Sequence, residues 1–480
     1  MAIAESMIQT AMSHLRADAR DQAASVLRDI CRIDPGHIRA HCMLAIVTYQ
    51  DGDASAALDI LDRFSEQHPN KPEIIRSRAE VLLGTGDVEG ALAAQQQARQ
   101  LNPRDPTGHL QEGVLLERLN RRDEARAAAE RALALKPDLT GALQLMATLA
   151  YRRGALEETA DLMEQVRAAP KPAIDPNHHY ALALFGLGRM DALAALAPTP
   201  APAQRFGETM VKAIAAWRDD DPVRCGDLLI EAQPQAGNAA VDAPNRSVFI
   251  TYGAILDGLM TWRRDNPAAY GQDCEQVVHV VGDSHVLTAA NLTIELDGAM
   301  TRLQSHLAFG CKAWHLVRNE PGPYRSFFHA IADRLPAGST VVAAFGELDC
   351  RYKEGIIRVV QKDPAADWKA MVDGLVARYV AFMMNEANRR GWTLWLQTPP
   401  MTNVTTNLLM DHDRIAFLSI ISRFNERLRD AAQAHDLCLI DVKAATTSND
   451  NRARHSHYID TNHIRPTALI EAMGAKVVEA

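Results

Sequence analysis

The sequence predicts two architectures in tandem: an all-α solenoid of paired helices, then an α/β domain of three layers around a parallel five-stranded sheet. Three observations carry this. Prolines recur at Pro35, Pro69, Pro103 and Pro137, a period of 34 residues, and small residues keep the same period. After about residue 265 that period stops, and short apolar runs alternate with long helical patterns. The 480 residues also exceed a single core, which rarely grows past about 250–300 residues.

Within the repeating half, Ala23, Ala57, Ala91 and Ala125 each precede a proline by the same interval, as do Ala11, Ala45, Ala79 and Gly113. Small residues let two antiparallel helices approach closely, and a proline cannot continue the second helix. Asp51-Gly52-Asp53 and Thr85-Gly86-Asp87 supply turns between the helices. One such pair cannot bury its apolar face alone, so neighbours must stack. Ala147 keeps the register of a fifth repeat, whereas Ala160 and Pro172 arrive one residue late, which predicts a single-residue insertion near Gly154. Residues 180–196 read as a degenerate sixth pair, 198–202 as a breaker, and 205–235 and 245–265 as helices that cap the array. The predicted boundaries are repeats over 1–170, degenerate repeats and capping helices over 171–265, and the α/β domain over 270–480. The period and its positions resemble the tetratricopeptide repeat (TPR) family, which implies a protein or peptide partner on the concave groove. Arg16, Gln50, Arg118 and Arg152 share one register position, read as a solvated helix face and not as a site.

Charge and cysteine usage narrow the class. Acids outnumber bases 60 to 51, a formal charge of −9, which disfavours a nucleic-acid partner. Seven cysteines form no CxxC pair and no zinc spacing, which fits reduced thiols. The first residues lack a basic region followed by an apolar run, and no apolar stretch reaches the length of a membrane span. A cytoplasmic protein without a cofactor or metal is expected; His455 and His457 find no carboxylate cluster to complete a ligand set.

In the second half, strands are predicted at 276–281, 312–317, 340–345, 392–397 and 437–441, with helices over 367–390 and 412–435. Alternation of this kind argues for a parallel sheet with its site beyond the carboxyl ends of the strands. Three polar segments fall there: Gly282-Asp283-Ser284-His285, Gly346 to Arg351, and Asp460-Thr461-Asn462-His463. A serine hydroxyl is a weak nucleophile until a base takes its proton, and an imidazole does so when a carboxylate fixes its tautomer. Asp460 and His463, three residues apart, can hold that geometry on one turn.

These segments, over roughly 275–475, resemble the SGNH or GDSL-type hydrolases, with their flavodoxin-like sheet. The resemblance implies Ser284 as nucleophile, His463 as base and Asp460 as its orienting acid, with Gly310 and the Ser284 amide holding the oxyanion. Asp283, His285, Gly346, Glu347, Asp349 and Arg351 become pocket residues, and Trp314 a further lining candidate. Asp283 and Asp349 also read simply as turn and helix caps. One departure stands out: the family's third block carries an asparagine donor where this chain has Leu348. Arg351, Gln397 and Asn462 are the candidates to replace it. The implied activity is an acyl-ester hydrolase or acyltransferase acting on a small acyl group, such as acetyl on a glycan or glycoconjugate, without a cofactor. The alternative is a catalytically silent binding domain in a TPR scaffold.

Overall fold

The structure, a computed structural model, describes residues 2–175, 178–199, 201–237, 243–352, 354–401, 403, 411–449 and 452–478. The chain divides into two compact units. The first comprises Met1–Leu149 and Asp161–Ala173. It is a TPR-like helical solenoid built from α1 (Ala2–Arg16), α2 (Arg20–Ile33), α3 (Ile38–Gln50), α4 (Ala54–Gln67), α5 (Pro72–Gly84), α6 (Val88–Leu101), α7 (Pro106–Arg118), α8 (Arg122–Leu135), α9 (Thr140–Arg152) up to Leu149 and α10 (Leu156–Ala168) from Asp161, the end of α9 and the start of α10 belonging to the second unit.

The periodic small residues do what their size dictates. Ala11, Ala23, Ala45, Ala57, Ala91 and Ala125 are all fully buried between helices. Asp53 and Asp87 cap α4 and α6, accepting the amides of Ala56 at 2.8 Å and Gly90 at 2.9 Å. The expected insertion near Gly154 is absent. The second helices start at Arg20, Ala54, Val88, Arg122 and Leu156, so the period of 34 holds through the fifth pair. The position equivalent to Ala125 is Thr159, fully buried, whose hydroxyl donates to the Ala155 carbonyl at 2.8 Å. A threonine that satisfies its own hydroxyl fills a small-residue slot, and Ala160 is merely its neighbour.

The second unit comprises Ala150–Ala160 and Ile174–Ala480. Its helical part is α11 (His179–Leu187), α12 (Met190–Ala194), α13 (Pro202–Arg218), α14 (Pro222–Ala236) and α15 (Ala243–Asp265). A mixed sheet follows, with β1 (Gln276–Gly282), β2 (Thr293–Leu296), β3 (Ala299–Leu307), β4 (Thr340–Ala344), β5 (Thr393–Gln397) and β6 (Cys438–Ile440) in the order β2-β3-β1-β4-β5-β6. Around it lie α16 (Ala313–Val317), α17 (Pro323–Ala332), α18 (Glu347–Cys350), α19 (Ile357–Lys362), α20 (Trp368–Arg390), α21 (Asp411–Ala434), α22 (Val442–Ala445) and α23 (Pro466–Ala472).

Two strand expectations are corrected. Among the described residues the sheet has six strands, because β2 joins antiparallel to β3 at its edge. Residues 312–317 form no strand; Ala313–Val317 is a short helix, and β3 takes the place beside β1. The β2–β3 turn is Asp297-Gly298, both at positive φ (51° and 82°), the backbone a two-residue hairpin requires. The remaining neighbours are parallel, with Val280 opposite Val342 and Leu396 opposite Leu439.

Val281, Val341, Ala343 and Leu396 share one core with Phe327 and Phe328 of α17, Tyr379 of α20 and Phe424 of α21. The other side of the unit is tied by polar contacts. Trp217 of α13 donates its indole N–H to the Leu287 carbonyl at 3.0 Å, and the Asn291 amide donates to the Trp217 and Arg218 carbonyls at 3.2 and 2.9 Å. Trp262 of α15 donates to the Thr467 hydroxyl at 3.0 Å. No helix among the described residues is long and apolar enough to cross a membrane.

Close helix approach makes the first unit sensitive to added volume. A Cβ on Gly113 would lie 2.8 Å from Leu145 Cδ2 and 3.2 Å from the Ala125 carbonyl oxygen. Gly113→Leu is expected to destabilise the repeats by about 1–3 kcal/mol, read as a lower urea midpoint of the helical signal.

Candidate active site

Gly282 ends β1 where no other residue fits, because a Cβ there would sit 2.1 Å from the Ala344 carbonyl oxygen of β4. The close approach sends the chain straight into a 3₁₀ turn over Ser284–Ala289. Asp283 opens that turn by accepting the His285 amide at 3.1 Å. A second loop arrives from far along the chain. Asp460 Oδ1 accepts the amides of Asn462 and His463, both at 2.7 Å, and this turn presents the His463 ring. Thr288 donates to the Ile464 carbonyl at 2.9 Å, which holds the two loops together.

The result brings Ser284, His463 and Asp460 into one chain of hydrogen bonds. Ser284 Oγ lies 2.8 Å from His463 Nε2, and His463 Nδ1 lies 2.8 Å from Asp460 Oδ2. With the carboxylate accepting from Nδ1–H, the Nε2 lone pair faces the serine hydroxyl. Burial pushes the His463 imidazole below its ordinary value; the Asp460 carboxylate resists this and the charge of His285 adds to it. Burial raises the Asp460 carboxyl, but the hydrogen bond and charge of His463 and two backbone amides outweigh it, so it lies well below the usual carboxylate range.

Ser284 and His463 open onto a cavity of about 510 Å³. Gly310, Leu348 and Arg351 line it from the α/β part, with Phe309, Lys312, His315 and Tyr324. Among the described residues, the amides of Ser284 and Gly310 meet no protein acceptor. The opposite wall comes from helices: Tyr151 of α9, His178, Leu182 of α11, and Phe249, Tyr252 and Ile255 of α15. Sequence reading missed all of these wall residues. His178, for one, shows itself only in the structure: it stands at φ 56°, and its ring occupies the space a side chain at Gly207 would fill.

The remaining predicted residues fall into distinct places. Asp283, His285 and Glu347 lie behind Ser284, with Asp283 fully buried. His285 Nδ1 is 3.0 Å from Asp283 Oδ1 and 3.9 Å from Glu347 Oε2. Burial raises the Asp283 carboxyl, but the bond and charge of His285 overcome it and hold it below its ordinary value. Arg351 grips Glu347 with both ends of its guanidinium, at 3.1 and 2.6 Å, and reaches Glu354 at 3.6 Å. Asp283, His285 and Glu347 bring ligating atoms within 4.8 Å of one another. Asp283 Oδ1, His285 and Glu347 are paired with one another and with Arg351 as a charge network, while the buried Asp283 Oδ2 meets no partner among the described residues. Gly346 begins α18 at φ +118°, a conformation L side chains rarely adopt.

Asp349 lies outside the cavity lining and is fully enclosed; it accepts the amides of Ala313 at 2.7 Å and Trp314 at 3.1 Å, so it holds the segment that follows Gly310. Those two bonds also explain why Ala313–Val317 starts a helix. Trp314 is 45% exposed and lines no part of the cavity, against expectation; its ring stacks under Arg318. Gln397 is buried away from the cavity. Asn462 lines a smaller adjoining pocket with Glu347 and Arg351. His457 pairs with Glu471 of α23 at 2.9 Å.

The chain is similar to several solved structures. One is a thermophilic tetratricopeptide repeat protein of Thermus thermophilus, at 24% identity over 38% of this chain and 98% of that one, with a TM-score of 0.33. Another is a tetratricopeptide repeat protein from Parabacteroides merdae, at 15% identity over 52% of this chain and 98% of that one, with a TM-score of 0.37. A third is MamA, at 17% identity over 32% of this chain and 91% of that one, with a TM-score of 0.28. No family model matches the chain, and no curated protein matches it.

Asp349 gives the site a measurable pH signature. Burial pushes its carboxyl up from 3.8 to about 7, against the pull of the Trp314 and Ala313 amides. Between these two values the folded chain keeps a proton that the unfolded chain has released. The group's contribution therefore favours folding fully below about pH 4 and is lost as pH rises towards 7. Asp349→Asn is expected to remove that slope, measured as urea midpoints of the second unit at intervals between pH 4 and pH 7.

Proposed function

We propose that the second unit is a serine-dependent acyl-ester hydrolase or acyltransferase of SGNH type, and that the solenoid binds a protein or peptide partner. One observation carries the catalytic reading: the Ser284–His463–Asp460 hydrogen-bond chain, at 2.8 Å in each of its two links, opening onto a cavity. The SGNH resemblance of the three loops supports it. For the solenoid, the support is a concave hollow of about 570 Å³ lined by Ile38, Arg39, Cys42, Glu73, Arg76 and Gln111.

In the proposed reaction Ser284 Oγ attacks the acyl carbonyl carbon while its proton passes to His463 Nε2. The carbonyl π electrons move to oxygen, where the Ser284 and Gly310 amides donate to the developing charge. Collapse restores the carbonyl and expels the alcohol, which takes the proton from His463. Water or a second hydroxyl then attacks the acyl-serine with His463 as base, and Ser284 is regenerated. Asp460 stays ionised throughout and stabilises the imidazolium. The aromatic wall of Phe249, Tyr252, Phe309 and Tyr324 suits a substrate with a flat or weakly polar face, and a small acyl group on a glycan meets that description.

A second reading rests on Leu348, which is buried at 6% exposure and presents an apolar wall where the SGNH pattern has an amide donor. In that reading the site binds without turnover. A phosphonate serine-hydrolase probe separates the two. Covalent mass on Ser284, absent in Ser284→Ala and His463→Ala, is expected; an unlabelled protein that also leaves p-nitrophenyl acetate intact supports the silent domain.

The same wall yields a gain-of-function prediction. Removing one oxyanion donor typically costs about 10²–10³-fold in turnover, so restoring one at this position should recover part of it. Leu348→Asn is expected to raise kcat on p-nitrophenyl acetate by at least about tenfold with little change in KM, measured by steady-state hydrolysis.

A further inference from the structure

The residue that follows Ser284 is a buried histidine to which the proposed reaction gives no step. His285 Nδ1 is 3.0 Å from Asp283 Oδ1, and His285 Nε2 is 2.9 Å from the backbone carbonyl oxygen of Asn462. An ionised carboxylate and a peptide carbonyl only accept hydrogen bonds. Both ring nitrogens must therefore donate, which makes His285 an imidazolium. Its ring also lies nearly parallel to that of His463, with centroids 4.9 Å apart and planes inclined by 24°.

We propose that His285 is a positioning residue, a fixed imidazolium that ties the Ser284 loop to the His463 loop and keeps the His463 ring neutral and free to accept the serine proton. The tie is direct, since Asp283 belongs to the first loop and Asn462 to the second. The electrostatic effect follows from like charge at short range: a proton on His463 would face one already fixed on His285. The charged groups around the pair agree with this. Burial disfavours the charged form of His285, but Asp283, Glu347 and the Asn462 carbonyl outweigh it and raise its pKa to about 9. His463 is faced by Asp460 and Glu347, which favour its protonation, and by His285, which opposes it. Glu347 is neutralised by Arg351, so the balance at His463 lies between Asp460 on one ring nitrogen and His285 over the ring face.

The catalytic consequence rests on the proposed acyl transfer, but the protonation state does not, and the test keeps them apart. Full-length protein labelled with ¹⁵N-histidine would be followed by ¹H–¹⁵N spectra of the imidazoles from pH 5 to pH 9. One ring is expected to stay doubly protonated between pH 6 and pH 8 and to vanish from the spectra of His285→Gln. In that variant the His463 titration should move up by about one pH unit, and the acid limb of kcat/KM on p-nitrophenyl acetate should move with it. Asp283→Asn keeps the ring but removes its counter-charge; His285 should then release its second proton near neutral pH, with the same upward shift at His463. A neutral His285 ring in the unmodified protein at pH 7 overturns the proposal outright, so the result does not depend on either variant folding. A doubly protonated ring with an unmoved His463 titration in both variants overturns it as well. Absence of phosphonate labelling would refute the acyl-transfer reading while leaving the spectra to decide the role of His285.

Discussion

The second unit is governed by one requirement, that charge removed from water be matched within a few ångströms. Behind and beside Ser284 the chain buries or half-buries Asp283, His285, Glu347, Arg351, Asp460 and His463. Each unpaired ion in such a place costs several kcal/mol after relaxation. The chain meets this cost in pairs: Asp283 with His285, Glu347 with Arg351, Asp460 with His463. The partners come from the loop after β1, from α18 after β4 and from the loop before α23, so pairing the charges also fixes the loops. Ser284 and His463 stand 179 residues apart in sequence. Their meeting at 2.8 Å depends on parallel β1 and β4 delivering two loops to one edge and on the Thr288–Ile464 bond closing the third.

Such a cluster is poor evidence of stability, because well-packed apolar residues of similar volume often do as well or better. Its position is more informative. The acid–base pairs sit where the strands end, while Phe327, Phe328, Tyr379 and Phe424 close the interior of the same unit. Three such pairs gather beside one serine at that edge and hold a polarised site in place.

What the sequence revealed, and what it hid, divides along physical lines. The repeats were legible because every turn of the solenoid demands the same small residues at the same spacing, and the array carries five copies of that demand. The apparent slip at Ala160 came from expecting a small apolar residue where Thr159 satisfies its own hydroxyl. The convergence of Ser284, Asp460 and His463 was legible because the chemistry proposed for them fixes residue type as well as place. The β2–β3 hairpin was hidden, although Asp297-Gly298 marks it. Thr301 and Ser305 are buried in β3 and disguise its apolar alternation. Residues 312–317 form a short apolar run, which periodicity cannot assign to strand or helix. It becomes helical because Asp349, far along the chain, accepts its first amides. The helical wall of the cavity was beyond reach for the same reason: Tyr151, His178 and Tyr252 meet Ser284 only through tertiary packing.

That wall bears on which reaction the proposed site would perform. A cavity of about 510 Å³ holds many waters when empty, since each takes about 30 Å³ of liquid volume. An acyl-serine formed beside it would meet water first, and a small ester would be hydrolysed. A larger acceptor that fills the space between Tyr252 and Tyr324 expels that water and puts its own hydroxyl within reach of His463. The same three residues would then transfer the acyl group. The choice between hydrolase and transferase thus falls less on Ser284, His463 and Asp460 than on what fits against α15.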